Sequence, residues 1–96
     1  MKLQDEVRER DMHRCILCDR PAGEVHHVIP RGRARAWPEV NSLYNLVTLC
    51  RGCHEKVANQ DGRLECLNYL IGLYGIDFYL AREPWAQVLR RADVIG

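Results

Sequence analysis

Four cysteines stand in two Cys-x-x-Cys pairs, a spacing typical of zinc ligands. Cys15 and Cys18 form the first pair, and Cys50 and Cys53 form the second. Zinc in structural sites binds four soft ligands in a tetrahedron. A chain of 96 residues buries only roughly 60–65% of its unfolded surface on folding, so bound zinc would supply much of its stability. We therefore expect a structural Zn²⁺ at these four cysteines.

Disulfide bonds are the alternative explanation for five cysteines in so short a chain. The first twelve residues, MKLQDEVRERDM, lack the apolar segment and the cleavage site of a secretory signal. No apolar run approaches the roughly 20 residues needed to cross a bilayer. We therefore expect a cytoplasmic protein with reduced thiols and no membrane partner. Cys66 lies in an apolar helical pattern and is expected to be a buried free thiol.

Three of the four histidines lie between the first and the last of these cysteines or directly after the last one. His26 and His27 are adjacent in residues 24–29, a β-branched run that predicts a strand. Successive side chains of a strand point to opposite faces, so these two should differ in role. Either could replace a cysteine on the zinc, but four cysteines already suffice. His54 follows Cys53 near a predicted helix start, where adjacent side chains diverge by about 100°, so the two can serve different sites.

The elements that must position these residues follow the order strand, loop, strand, helix. Residues 46–49 form the second predicted strand, after a loop over residues 30–44 that Trp37 and Leu43 could anchor to the core. The remaining periodicity predicts helices over residues 3–11, 54–59, 63–74 and 84–92. We predict a small α+β fold in one domain over residues 1–96, with a core at about residues 10–60 and a helical extension at about residues 62–96.

Net charge alone does not indicate a nucleic-acid-binding protein, because the chain has 14 basic and 13 acidic residues and a net charge of only +1. Arg31, Arg33 and Arg35, however, lie close together in the loop directly after the histidine pair. A solvated loop is the simpler explanation. The position beside two histidines favours contact with nucleic-acid phosphates, which would give little sequence specificity and strong salt dependence.

The whole series resembles the HNH endonucleases, which have a ββα-metal or treble-clef fold. The resemblance rests on Cys15-x-x-Cys18, then EVHHVIP at residues 24–30, then NLVTLCRGCH at residues 45–54. Each of these three motifs is a weak signal alone, but their occurrence together in this order is specific to the family. The resemblance covers about half the chain, and the residues from Gly62 onward match nothing assignable.

The resemblance implies a role for each inner residue. His27 would be the general base, and Asn45 would hold the loop and the catalytic strand in register. His26 and His54 would bind a catalytic divalent metal ion, which could be Mg²⁺, Mn²⁺, Ni²⁺ or Zn²⁺. Arg51 has no fixed role in the family and is a candidate phosphate contact. Nothing in the sequence singles out a third metal ligand, and Glu24 and His13 are better explained as structural residues.

The function that the resemblance implies is metal-dependent hydrolysis of DNA phosphodiester bonds, by nicking or by double-strand cleavage. Imidazole has a pKa of about 6.5 and can take the proton from water. A bacterial cell or a phage-infected host is the expected setting, and double-stranded DNA the expected partner. A homodimer or a larger phage or restriction assembly is compatible with the sequence. The alternatives are a non-catalytic zinc module that binds nucleic acid or protein, and a structural subunit docked by its helical tail.

Overall fold

The computed structural model of the chain describes residues 2–30, 32, 38–57 and 60–92. Within these ranges, five α-helices surround one two-stranded antiparallel sheet, so the predicted α+β fold is confirmed. The order is α1 (Leu3–Arg10), β1 (Glu24–His27), a 3₁₀ helix (Pro38–Asn41), β2 (Leu46–Leu49), α2 (Arg51–Lys56), α3 (Gln60–Tyr74), α4 (Ile76–Leu80) and α5 (Trp85–Arg91).

The two strands pair in a register that separates the adjacent histidines. His26 lies opposite Val47 and His27 lies opposite Leu46. Opposed residues of an antiparallel pair share a face of the sheet, and neighbours along a strand do not. Glu24 and His26 therefore occupy one face, which α2 contacts, and His27 occupies the other.

Strand β1 is shorter than residues 24–29, the range that the β-branched run predicts. It ends at His27, and the buried residues Val28 and Ile29 follow it. The backbone N–H of Val28 donates to the Asn45 carbonyl at 2.9 Å, and that of Ile29 donates to the Asn45 side chain at 3.0 Å. Asn45 thus takes hydrogen bonds that a longer ladder would have used, and the prediction was wrong by these two residues.

The helices also differ from the sequence predictions at their ends. Helix α2 begins at Arg51 rather than at residue 54, because the Cys50 sulfur accepts a hydrogen bond from the Cys53 N–H and caps the first turn. Helix α3 begins at Gln60 rather than at residue 63. Gly75, with φ of 95°, ends α3 as expected. The short helix α4 and the 3₁₀ helix within the loop were not predicted.

A buried carboxylate joins α1 to the sheet and to α3. The side chain of Asp11 is 0% exposed and accepts hydrogen bonds from Arg10 Nε at 2.8 Å and Nη2 at 3.0 Å. The Tyr69 hydroxyl donates to it at 2.7 Å, and the Thr48 backbone N–H donates at 2.9 Å. Arg10 continues the network by donating to the Leu46 carbonyl. One carboxylate therefore fixes the relative positions of three elements.

The C-terminal helices pack their apolar faces into the same core as the hairpin. Trp85 and Leu89 of α5 and Leu67 and Leu70 of α3 are fully buried, as their helical spacing predicts. Cys66 is a buried free thiol, which confirms its prediction. No helix in the described part of the chain is long and apolar enough to cross a membrane. The cluster contains Cys15, Val28, Ile29, Val47, Leu49, Val57, Cys66, Leu67, Leu70, Tyr79, Trp85, Val88 and Leu89.

Candidate metal centre and active site

The four predicted zinc ligands converge. The sulfur atoms of Cys15, Cys18, Cys50 and Cys53 all lie within 4.8 Å of one another. Tetrahedral zinc with Zn–S bonds of about 2.3 Å places its sulfurs about 3.8 Å apart. Cys18 Sγ and Cys50 Sγ, one from each pair, are 3.6 Å apart, so the donor set fits a zinc ion. Among the described residues, no other group of three or more Cys, His, Asp or Glu side chains converges this closely.

Backbone N–H groups support the thiolate forms that zinc binds. Although burial opposes ionisation of the Cys15 thiol, hydrogen bonds from the backbone of Cys50, Leu17 and Cys18 lower its pKa to about 6. At the second pair, the Cys53 N–H donates to Cys50 Sγ at 3.4 Å and lowers the pKa of the Cys50 thiol. The backbone therefore favours negative charge at one sulfur of each pair, Cys15 and Cys50, whereas burial and the neighbouring thiols raise the pKa of Cys53 to about 12.

His26 and His54 meet on the face of the sheet that α2 contacts. Their ring centroids are 4.9 Å apart, with an angle of 73° between the ring planes. Burial, followed by the charges of His54, His27 and Arg63, lowers the pKa of His26 to about 4. His26 is therefore neutral near pH 7 and keeps a lone pair for a metal. Two imidazoles suit a divalent transition metal and leave coordination positions open.

Glu24 lies between His54 and Arg51. Glu24 Oε1 is 2.9 Å from His54 Nδ1, and Glu24 Oε2 is 3.5 Å from Arg51 Nε. The hydrogen bond from His54 is the largest cause that lowers the pKa of the Glu24 carboxyl below its ordinary value. These three residues and Glu55 line an open depression of about 410 Å³ on the surface. Arg51 is exposed, with its guanidinium turned to this carboxylate.

His27 faces a second depression, on the opposite side of β1. Its Nε2 is 2.8 Å from Asn41 Oδ1. An amide oxygen only accepts, so this contact places the ring proton on Nε2 and leaves Nδ1 able to take a proton. The depression has a volume of about 290 Å³ and is lined by Lys2, Leu3, Gln4, Val25, His27, Asn41 and Leu46.

Asn45 is completely buried and uses both ends of its amide. Its Nδ2 donates to the carbonyls of Ile29 at 3.1 Å and Val40 at 3.0 Å. Its Oδ1 accepts from the Ile29 N–H at 3.0 Å and from Trp85 Nε1 at 3.1 Å. One side chain therefore connects the residues after β1, the 3₁₀ helix of the loop and helix α5.

Part of the basic loop is not among the residues that the structure describes. Arg31, Arg33, Arg35 and the proposed anchor Trp37 lie outside the described residues. Leu43, the second proposed anchor, is partly buried, and its carbonyl accepts a hydrogen bond from Arg10 at 2.6 Å. Of the four candidate phosphate-binding arginines, the structure thus places Arg51 alone.

One polar residue of the site, Glu24, was a weak candidate that was set aside as structural, and another, Asn41, was missed. Glu24 precedes His26 by two positions in a strand, and this spacing alone puts them on one face. Asn41 carried no comparable signal, because its contact with His27 depends on the path of the long loop. Neither the carboxylate between His54 and Arg51 nor the amide at His27 could be assigned from residue types.

The chain was also compared with known proteins. Residues 15–60 match the family model described as HNH endonuclease, a range that contains all four zinc-ligand candidates and the inner residues His26, His27, Asn45 and His54. No curated protein and no solved structure shows significant similarity to the chain. The match confirms the predicted resemblance to the HNH endonuclease family over residues 15–60, just under half of the chain.

Proposed function

We propose that the protein is a metal-dependent endonuclease that hydrolyses DNA phosphodiester bonds and leaves 5′-phosphate and 3′-hydroxyl ends. The observation that carries the proposal is the meeting of the His26 and His54 rings, 4.9 Å apart, within the segment that matches the HNH family. A zinc-binding frame alone has no need for two imidazoles in contact beside an open depression.

Each inner residue has a chemical role in this proposal. His26 and His54 would hold a divalent ion, which would stabilise negative charge on the phosphate and on the leaving oxygen. His27 takes the proton from the attacking water through Nδ1, the nitrogen that its contact with Asn41 leaves free. Asn45 keeps the loop and the end of β1 in place through its hydrogen bonds to Ile29 and Val40.

The position of His27 constrains how substrate binds. His27 and His54 lie on opposite sides of β1, each in its own depression. In the described part of the chain, β1 pairs with β2 alone, so its other edge has no strand beside it. We infer that the scissile phosphate would lie across this free edge, between the side of β1 that carries His26 and His54, which would hold the metal, and the side that carries His27.

The proposal extends to the rest of the chain and to its partner. Double-stranded DNA would be held mainly through its phosphates, by Arg31, Arg33 and Arg35 of the loop and by Arg51, with little sequence specificity. The fold over about residues 10–60 would carry the chemistry, and the helical part over about residues 62–96 would buttress it within one domain. Whether the protein cuts one DNA strand or both depends on its oligomeric state, and the products of plasmid cleavage distinguish these two cases.

The test is cleavage of a supercoiled plasmid by the zinc-loaded protein with Mg²⁺, Mn²⁺, Ni²⁺ or added Zn²⁺. We expect conversion to nicked or linear plasmid with at least one of these ions, and loss of cleavage of about 100-fold or more in His27→Ala. Nicked product alone indicates single-strand cuts, and linear product without a nicked intermediate indicates a dimer.

His13→Asn is the matched control. His13 is exposed, and because its φ is 56°, asparagine is a better replacement than alanine. Cleavage by this variant should equal that of the wild type. Absence of cleavage with all four ions contradicts the enzyme proposal and favours a zinc-stabilised binding module. Cleavage that survives His27→Ala contradicts the role of His27.

A further inference from the structure

Glu24 stands out because it contacts a candidate metal ligand without a role of its own. It shares one face of β1 with His26, and α2 brings His54 over the same face. Its Oε1 is 2.9 Å from His54 Nδ1. An ionised carboxylate can only accept hydrogen bonds, so Nδ1 must be the donor. The proton of a neutral His54 is thereby placed on Nδ1, and Nε2 keeps the lone pair.

Metal-binding histidines commonly donate their second ring N–H to a carboxylate. Such a contact fixes the tautomer and the ring orientation and makes the ligating nitrogen more basic. We propose that Glu24 is the positioning residue of the catalytic metal site: it holds His54 in the Nδ1–H form and makes Nε2 the metal-binding nitrogen. This inference rests on the proposed function, since it takes His54 as a ligand.

Direct ligation by Glu24 is the competing explanation, and the contacts favour positioning. Each carboxylate oxygen already has a partner, His54 on Oε1 and Arg51 on Oε2. The donor atoms of Glu24, His26 and His54 do not converge as the four sulfurs do. Arg51 contacts Oε2 and His54 contacts Oε1, so the two partners use different oxygens of the carboxylate.

The inference can be tested without cleavage. In zinc-loaded protein free of a second metal, ¹⁵N-histidine NMR above the ordinary pKa of imidazole reports which nitrogen of each ring carries the proton. Calorimetric titration with Ni²⁺ then gives the affinity of the second site. Wild type should show His54 as the Nδ1–H tautomer. Glu24→Ala should lose this preference and bind Ni²⁺ about 10- to 100-fold more weakly, with unchanged zinc content and melting temperature.

Two further variants separate positioning from other effects. Glu24→Gln keeps an amide oxygen that can accept from Nδ1–H, so it should keep the tautomer and lose less affinity than Glu24→Ala. Glu55→Gln removes the same charge from the same depression and should bind Ni²⁺ as the wild type does.

Four results would overturn the inference. The first two are an Nε2–H tautomer of His54 in the wild type and a wild-type Ni²⁺ affinity in Glu24→Ala. The third is an equal loss of Ni²⁺ affinity in Glu24→Gln and Glu24→Ala, which would indicate direct ligation by Glu24. The fourth is an equal loss of affinity in Glu55→Gln, which would indicate a general effect of charge. Because neither readout uses DNA, a protein that cleaves nothing but shows the expected tautomer and affinities contradicts the proposed function and supports the role of Glu24.

Discussion

The indole of Trp85 donates a hydrogen bond to the side-chain oxygen of Asn45 at 3.1 Å, and both residues are completely buried. Forty positions separate them in the chain. Asn45 lies within the residues that match the HNH model, whereas Trp85 begins α5 and lies outside them. The C-terminal helices thus take part in fixing the residue expected to hold the loop and the catalytic strand together.

Replacing Trp85 with phenylalanine should therefore weaken both the fold and the site. The variant loses one buried hydrogen bond and part of a fully packed side chain, which together cost about 2–3 kcal/mol. Urea denaturation measures this loss. Tyr79→Phe is the control, because it removes only the hydroxyl that donates to the Tyr44 carbonyl and should cost about 1 kcal/mol. Equal stabilities of Trp85→Phe and wild type would contradict a structural role for the Asn45 contact.

Cys50→Ser should lose the zinc and unfold the domain, because the four sulfurs converge and would bind the metal as a unit. Metal analysis and thermal melting measure both effects. Cys66→Ala is the matched control, since Cys66 is buried apart from the four sulfurs and its removal should leave zinc content unchanged. His54→Ala should also keep its zinc and lose cleavage. A Cys50→Ser variant with the zinc content and melting temperature of the wild type contradicts the structural role.

Asp11→Ala should be among the most destabilising single changes in the chain. It removes the acceptor for Arg10, Tyr69 and the Thr48 backbone, and it leaves the partly buried Arg10 charge without its carboxylate. Loss of one partner from a buried pair costs roughly 3–5 kcal/mol. Asp5→Ala breaks an exposed pair with Arg8 and should cost under about 1 kcal/mol. Similar denaturation midpoints for the two variants would show that the buried network contributes little.

Asn41→Ala tests the orientation of His27. The hydrogen bond to His27 Nε2 is worth roughly 1 kcal/mol, so its loss should slow cleavage about fivefold without a change in zinc content. The exposed residue Asn68 on α3 supplies the control, and Asn68→Ala should cleave at the wild-type rate. Single-turnover rates distinguish the two. An unaltered rate in Asn41→Ala would show that His27 needs no fixed tautomer.

The basic loop can be tested by the salt dependence of DNA binding. Replacing Arg31, Arg33 and Arg35 together with glutamine should reduce the slope of log affinity against log salt by roughly three. A variant with Arg82, Arg90 and Arg91 replaced by glutamine removes the same charge from the C-terminal region and serves as the control. Equal slopes in the two variants would show that the loop arginines contribute only to net charge.

The central elements could be predicted because their signals are local. The two Cys-x-x-Cys pairs specify a metal site by chemistry, and the β-branched runs specify two short strands. The ends of those elements were less predictable. Strand β1 stops at His27 because Asn45 accepts hydrogen bonds from the backbone of Val28 and Ile29, and no local sequence pattern predicts these contacts.

The contacts between distant residues account for the remaining differences. Asn45 was identified through the resemblance, but its partner Trp85 was not, because that pair exists only after α5 packs. Glu24 was set aside as structural for a related reason. Its spacing from His26 indicates a shared face, yet only the position of α2 shows that His54 Nδ1 is the atom it meets.

Cys50 has a consequence for experiments with chelators. Its sulfur is one of the four that could hold zinc, and it also caps α2, the helix that carries His54, by accepting a hydrogen bond from the Cys53 N–H. Stripping the zinc would therefore disturb His54 as well as the frame. If the chain cleaves DNA as proposed, inhibition by a chelator would have two causes. Adding back one ion at a time would separate them: zinc should restore the fold, and a second divalent ion should restore cleavage.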